Sequence, residues 1–300
     1  MKQSHILGLV LLCVLSGSGW ILLQIYPREI GFPFAGCIHF AVISVVAAGY
    51  GMAKRMALPR ASIGGWITLS GMGVFAVPAL ARGISTGAVS EFTSLALFCS
   101  IPLLTVLLLG AFEWTGVRAV APRALLTSVF GVGGALLVLP ATLPGSTRGW
   151  IFFSFMAVCC LLVAVAGIAM HRLIQGVAVA ITLALTAFGC AALLGGYGVA
   201  AGWPQLTMRL IGFECVRCLL FDLPVMWLTV WLIREVDPGR LSARFLLVPL
   251  VTAVEGYAAM SGGVELEAGV GMILLTASGI LLIRDKAPSG DEDVSSLHLR

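Results

Sequence analysis

The sequence predicts an all-α polytopic membrane protein with ten transmembrane helices, arranged as two inverted five-helix repeats. Three observations support this prediction: an apolar composition, a series of apolar runs of membrane-spanning length, and a pattern that recurs halfway along the chain. Of the 300 residues, 59% are hydrophobic and 11% are charged, and the mean hydropathy is +1.05. Soluble domains carry about 25% charged residues, so this composition excludes a soluble globular protein.

Ten apolar runs approach the length of about 20 residues that a helix needs to cross a bilayer. They cover residues 6–25, 33–52, 64–81, 87–111, 124–140, 149–170, 176–202, 210–233, 242–261 and 268–283. No small-residue cleavage pattern ends the first run, so we predict a retained span and not a signal peptide. The polar end of the chain, which contains Asp291-Glu292-Asp293, predicts a disordered cytoplasmic tail at 287–300.

The basic residues between the runs predict the orientation, because cytoplasmic loops are enriched in lysine and arginine. With a cytoplasmic N-terminus, thirteen basic residues fall on the inner side: Lys2, Lys54, Arg55, Arg60, Arg118, Arg123, Arg172, Arg234, Arg240, Arg244, Arg284, Lys286 and Arg300. Four fall on the outer side: Arg28, Arg82, Arg148 and Arg209. The bias predicts a multi-pass protein of the inner (plasma) membrane with both termini in the cytoplasm.

A short pattern in the first half of the chain returns in the second half. Residues 101–105 read Ile-Pro-Leu-Leu-Thr and residues 248–252 read Val-Pro-Leu-Val-Thr. Five spans in each half would place the second half upside down relative to the first. We therefore predict inverted repeats at 1–143 and 144–286, with a ligand site near the midplane between them, an arrangement typical of secondary transporters.

Ionisable residues inside the spans are the first candidates for the site, since burying a charge in a bilayer is unfavourable. Glu255 lies in the middle of the ninth run, and the position that corresponds to it in the first half is Leu108. A charge present in only one half is typical of a substrate or proton site. A carboxyl group paired for structural reasons is the alternative.

The eighth run contains three charged candidates, Glu214, Arg217 and Asp222. Glu214 and Arg217 are three residues apart and share a helical face, so they could pair. Such a pair could be functional or purely structural.

The remaining polar candidates have plainer interpretations beside the functional one. Glu91 begins the fourth run, where an acidic side chain offsets the positive end of the helix dipole. His39 lies in the second run and is expected to be a buried histidine satisfied by a neighbour. Trp20 and Tyr257 could line an aromatic cavity, or could simply pack in the core.

Two segments resemble the motifs of a known family. Leu15-Ser16-Gly17-Ser18-Gly19-Trp20, continuing to Gln24, resembles a first-helix motif in which Trp and Lys normally stand at the positions of Ser16 and Gln24. Ser90 to Ala96, continuing to Pro102-Leu103-Leu104-Thr105, resembles the fourth-helix motif. The family is the drug/metabolite transporter superfamily, in its EamA-type ten-span group, and the resemblance extends over residues 6–283. It implies two inverted repeats and metabolite export, and it makes Gln24 a candidate site residue.

Together these features predict a secondary transporter of a small metabolite, working by alternating access. For efflux of an amino acid or a similar compound, Arg217 would meet a carboxylate and Glu255 an ammonium group. The alternative is proton-coupled efflux of lipophilic or quaternary cations, with Glu255 beside Trp20 and Tyr257. A membrane-embedded enzyme is a third class, although the sequence lacks an ATP-binding loop and hydrolase motifs. We expect no cofactor, no metal and no nucleic acid; the partners are the substrate, the lipid bilayer and, if transport is coupled through Glu255, protons.

Overall fold

The computed structural model describes residues 1–19, 21, 31–113, 122–202, 207–260 and 265–284. Over these ranges the chain is helical and forms no β-strand, so the all-α class is confirmed. We number the helical segments in chain order: α1 Gln3–Gly17, α2 Phe32–Ala53, α3 Ala61–Ser85, α4 Glu91–Phe98 with Ile101–Glu113, α5 Pro122–Val138, α6 Thr147–Leu173, α7 Val179–Ala201, α8 Met208–Glu235, α9 Pro238–Leu241 with Arg244–Met260, and α10 Leu266–Arg284.

Eight of these segments are long and apolar enough to cross a membrane. The exceptions are α1, with 15 residues, and α5, with 17, both apolar but shorter. The predicted tail at 287–300 lies outside the described residues. Large apolar side chains point outward along several helices, as Val45 (73% exposed), Phe188 (64%) and Ile273 (69%) do. An apolar outer surface of this kind is compatible with a lipid environment.

The helices pack in a pattern that relates the first five segments to the last five. The closest pairs are α2 with α7 and α5 with α10. In addition, α3 packs on α7 as α8 packs on α2, and α4 packs on α6 as α9 packs on α1. Each of these contacts has a counterpart when α1–α5 are exchanged for α6–α10. The largest buried apolar cluster in the described residues joins α1, α2, α3, α6, α7, α8 and the start of α9, and includes Leu9, Ile43, Met170, Leu183 and Val230.

Glycine allows the closest approach between α5 and α10. A Cβ atom added at Gly134 would lie 2.9 Å from the carbonyl oxygen of Gly271, and one added at Gly271 would lie 2.8 Å from that of Gly134. Small residues of this kind let helix backbones touch where no hydrophobic driving force brings them together.

Two helices contain a π-helical turn, which the sequence did not predict. The turn in α3 is Met72–Ala76 and the turn in α8 is Cys218–Asp222, at positions 146 residues apart. Each is followed by a proline at the second residue of the next α-helical part, Pro78 in α3 and Pro224 in α8. Because proline lacks the N–H that would bond four residues back, the regular hydrogen-bond ladder is already interrupted where the widened turn forms.

Proline also interrupts α9, where Pro249 lies inside the helix. The carbonyl of Phe245, four residues earlier, therefore has no backbone N–H from position 249. The thiol of Cys99 on α4 donates a hydrogen bond to that carbonyl, at 3.3 Å. The Cys99 side chain of α4 thus satisfies a backbone carbonyl of α9 that Pro249 leaves without its usual N–H donor.

Candidate functional site

A buried histidine between two carboxylates is the main polar cluster in the described part of the chain. His39 lies on α2, and its Nε2 atom is 2.7 Å from Oε2 of Glu214. Its other ring nitrogen, Nδ1, is 2.8 Å from Oδ2 of Asp222. Both carboxylates belong to α8, so one imidazole ties two positions of α8 to α2.

The two contacts differ in geometry. The contact with Glu214 is a hydrogen bond between two buried residues, which are 5% and 2% exposed. The contact with Asp222 is at ion-pair distance, yet Oδ2 of Asp222 accepts no hydrogen bond from the described residues. A neutral imidazole offers one N–H and an imidazolium offers two. The number of N–H groups on the His39 ring therefore decides whether it can donate a hydrogen bond to one carboxylate or to both.

The π turn of α8 explains how both carboxylates reach the same ring. Glu214 and Asp222 are eight residues apart, which on a regular α-helix is a rotation of about 80° beyond two turns. The π turn Cys218–Asp222 takes up one extra residue in this interval. The remaining seven residues correspond to roughly two full turns, which brings the two side chains to the same side of α8.

Cys218 adds a second link between the same helices. Its thiol is fully buried and donates a hydrogen bond to the backbone carbonyl of His39, at 3.3 Å. The backbone of His39 and both ring nitrogens are thus held by residues of α8, which fixes the orientation of the imidazole.

Arg217 does not form the pair with Glu214 that its spacing predicts. Within the described ranges, no carboxylate oxygen lies at ion-pair distance from its guanidinium. Its Nη1 atom is buried and has no hydrogen-bond acceptor there. Glu214 instead contacts His39, which lies 175 residues away in the chain. The helix α8 therefore carries one unsatisfied donor, at Arg217, and one acceptor, Oδ2 of Asp222, that receives no hydrogen bond from the described residues.

Glu255 belongs to a second polar group, between α1 and α9. The hydroxyl of Ser18, which caps the end of α1, donates a hydrogen bond of 2.5 Å to Oε1 of Glu255. One turn earlier on α9, the hydroxyl of Thr252 lies 3.1 Å from the carbonyl oxygen of Gly17. Glu255 is half-buried, so this group lies nearer the surface than Glu214 does.

The other candidates lie apart from these two groups or outside the described residues. Glu91 is exposed in the first turn of α4, where Ser90 caps the helix by accepting a hydrogen bond from the Thr93 N–H, at 3.1 Å. Tyr257 is half-buried on α9. Trp20 and Gln24 lie outside the described residues.

The sequence did not point to Ser18 and Cys218 as partners in these groups. Both form their contacts across large separations in sequence, which a local pattern cannot reveal. One signal was available for the π turns: Phe75-Ala76-Val77-Pro78 and Phe221-Asp222-Leu223-Pro224 match at the first and last positions. In the described part of the chain, no group of three or more histidine, cysteine, aspartate or glutamate residues suits a metal ion.

The chain is therefore an all-helical protein with a buried ionic cluster between two long apolar helices. No protein-family model matches its sequence, and no curated protein matches it. Among solved structures, 24 chains match. One of them, described only as a crystal structure of a protein, aligns with a TM-score of 0.73 over 94% of this chain and 98% of its own length, at 13% sequence identity. The likeness shows a shared fold over nearly the whole of both chains.

Proposed function

We propose that the protein is a secondary transporter of a small metabolite that works by alternating access. The observation that carries the proposal is the buried cluster of His39, Glu214 and Asp222 between α2 and α8. Ionisable groups among apolar helices are costly to bury and mark substrate or proton pathways by default. This cluster holds three of them in contact.

The packing of the helices supports the inverted-repeat part of the proposal. The most extensive helix contacts have counterparts when α1–α5 are exchanged for α6–α10, and the π turns recur at the same relative position in α3 and α8. Two repeats of five spans, with α1 and α5 as the two shortest spans, account for both features. Rocking of one repeat against the other would then expose the site to each side in turn.

The charges of α8 have no counterparts in α3. With the spacing of 146 residues between the two π turns, Glu214, Arg217 and Asp222 correspond to Thr68, Gly71 and Ala76. These α3 positions pack instead against α7, where a Cβ atom on Gly71 would lie 2.5 Å from the hydroxyl oxygen of Thr186. A scaffold needs no charge in only one half, so the asymmetry supports a binding role for α8.

The free groups of α8 favour a zwitterionic substrate, such as an amino acid. The Arg217 guanidinium has an unsatisfied donor that suits a carboxylate. The Oδ2 atom of Asp222 accepts no hydrogen bond from the described residues and suits a donor such as an ammonium group. Glu255 with Ser18 offers a second acidic contact on the α1–α9 side, which would serve substrate binding or proton coupling.

The direction of transport and the membrane follow from the family resemblance and the charge bias. A drug/metabolite transporter of the EamA type, with ten spans and both termini in the cytoplasm, would export its substrate across the inner membrane. The 13% identity to a solved structure of the same fold leaves the substrate to be identified by experiment.

The experiment is a thermal-shift screen of the purified protein against a metabolite library, with each hit retested for flux in proteoliposomes. Arg217→Gln should weaken binding of zwitterionic hits by about tenfold or more, since a charge-assisted hydrogen bond is lost. Arg172→Gln, at an exposed position at the end of α6, is the matched control and should bind as the wild type does.

The same screen separates the alternative function, efflux of lipophilic cations. Three carboxylates, Glu214, Asp222 and Glu255, favour cationic ligands if Arg217 takes no part in binding. Hits that are lipophilic cations and bind equally well to Arg217→Gln would favour that alternative. Product formation from a hit in detergent, without flux, would refute transport.

A further inference from the structure

A partly open cavity lies away from the His39 cluster, at the start of α9. Its volume is about 40 Å³, and side chains from α3, α4, α6, α8 and α9 line it. Most of them are apolar, such as Val74, Ile101 and Phe245, and three are polar: Thr105, Ser242 and Arg244. On the proposed topology the cavity is on the cytoplasmic side, since the end of α8 and the start of α9 carry Arg234, Arg240 and Arg244, which are counted on the inner side.

Arg244 is the polar group of the cavity that has binding capacity left over. The hydroxyl of Thr105 already donates to the carbonyl of Ile101, at 2.8 Å, and that of Ser242 donates to Gly239, at 2.5 Å. Among the residues that the structure describes, no carboxylate lies at ion-pair distance from Arg244. Its guanidinium makes no hydrogen bond with the described residues and is not a buried unsatisfied group, so its donors are available to a ligand at the cavity.

The orientation of Arg244 is fixed by its neighbour. Its guanidinium carbon lies 4.8 Å from the centre of the Phe245 ring, within the range of a cation–π contact. A stacked guanidinium keeps its in-plane N–H donors available. Two of these donors match the two oxygens of a carboxylate.

We propose that this cavity binds a carboxylate group, with Arg244 as its counter-ion, as a docking point that precedes the His39 cluster on the path from the cytoplasm. This role on the path rests on the proposed function, whereas binding of a carboxylate does not. The competing explanation is an arginine that extends to the membrane surface with no ligand. A lysine would serve that purpose equally well, but it would not replace the planar fork of donors.

The test is calorimetric titration of sodium acetate into the full-length protein in detergent, at constant ionic strength, with sodium chloride as the comparison anion. We expect acetate to bind to the wild type and its affinity to fall about tenfold or more in Arg244→Gln and Arg244→Lys. Arg172→Gln is the matched control and should bind acetate as the wild type does. Unchanged acetate affinity in both Arg244 variants, chloride binding as tight as that of acetate, or no acetate binding by the wild type would each overturn the proposal.

A competition arm distinguishes the two sources of the carboxylate. If acetate inhibits flux of the transported compound in the wild type but not in Arg244→Lys, the site takes the carboxylate of the substrate. If acetate binds through Arg244 without inhibiting flux, the site takes a free carboxylate. Because the titration needs no transport, loss of acetate binding in the variants would stand even if no transported compound were found. Flux without acetate binding would leave the proposed function intact and remove the site.

Discussion

Replacing His39 by leucine tests whether the ionic cluster is a matter of stability or of function. Leucine has a similar volume, so the change in packing is small and the effect is electrostatic. The hydrogen bond to Glu214 joins two residues that are 5% and 2% exposed, and a hydrogen bond to a charged group contributes about 1.5–3 kcal/mol. Its removal also leaves the Glu214 carboxylate buried without a counter-ion, so we expect a total loss of roughly 3–5 kcal/mol.

The contact with Asp222 contributes little to this figure. The Asp222 side chain is 43% exposed, and solvent screens ion pairs of that kind to less than about 1 kcal/mol. Glu214 therefore dominates the penalty.

The assay is equilibrium unfolding in mixed micelles, followed by helicity, for His39→Leu, Glu214→Leu and the double variant. Replacement of both members of a buried pair by apolar residues is often neutral or stabilising, so the double variant should regain most of the stability. If the cluster serves transport, the double variant should fold and fail to transport. A single variant within about 1 kcal/mol of the wild type, or a double variant as unstable as the singles, would refute the reasoning.

Three further predictions follow from the packing and the second polar group. Glu255→Gln should fold and lose pH-dependent transport, measured as flux against pH; an unchanged pH profile would remove it as the coupling group. Gly134→Ala should lower the melting temperature, because its Cβ atom would lie 2.9 Å from the backbone of α10. Gly133→Ala is the control: its Cβ atom would meet no atom within 4 Å, so the change should be neutral or stabilising. Equal effects of the two substitutions would contradict the close packing of α5 on α10. Cys99→Ala should lower the melting temperature, because the unsatisfied Phe245 carbonyl would cost about 1 kcal/mol of stability. Cys99→Ser should restore the melting temperature. Identical melting temperatures of the alanine and serine variants would show that the thiol donor is unimportant.

The sequence predicted the helical class and the approximate place of each helix, because apolar runs are a local property. Its run at 176–202 corresponds to Val179–Ala201, and its run at 149–170 to Thr147–Leu173. It did not separate α1 and α5 from the longer helices. The lengths of these two helices were predicted from the apolar composition of the runs, whereas the ends of a helix depend on local backbone hydrogen bonds.

The contacts of the site could be predicted only in part, because their partners are distant in sequence. A buried histidine satisfied by a neighbour was expected at position 39, and the structure supplies Glu214 and Asp222. The local spacing favoured a pair between Glu214 and Arg217, but the histidine lies on the helix against which α8 packs. A tertiary contact therefore replaced the intrahelical one, and Arg217 was left with an unsatisfied donor.

The π turn of α8 connects the backbone to the chemistry of the proposed site. Without its extra residue, Asp222 would be rotated by about 100° around α8 and could not share the His39 ring with Glu214. The corresponding turn in α3 is kept although its side chains carry no charge, so the turn does not exist only to place carboxylates. The same π turn, followed by proline in both helices, therefore lies beside charged groups in α8 and beside uncharged groups in α3.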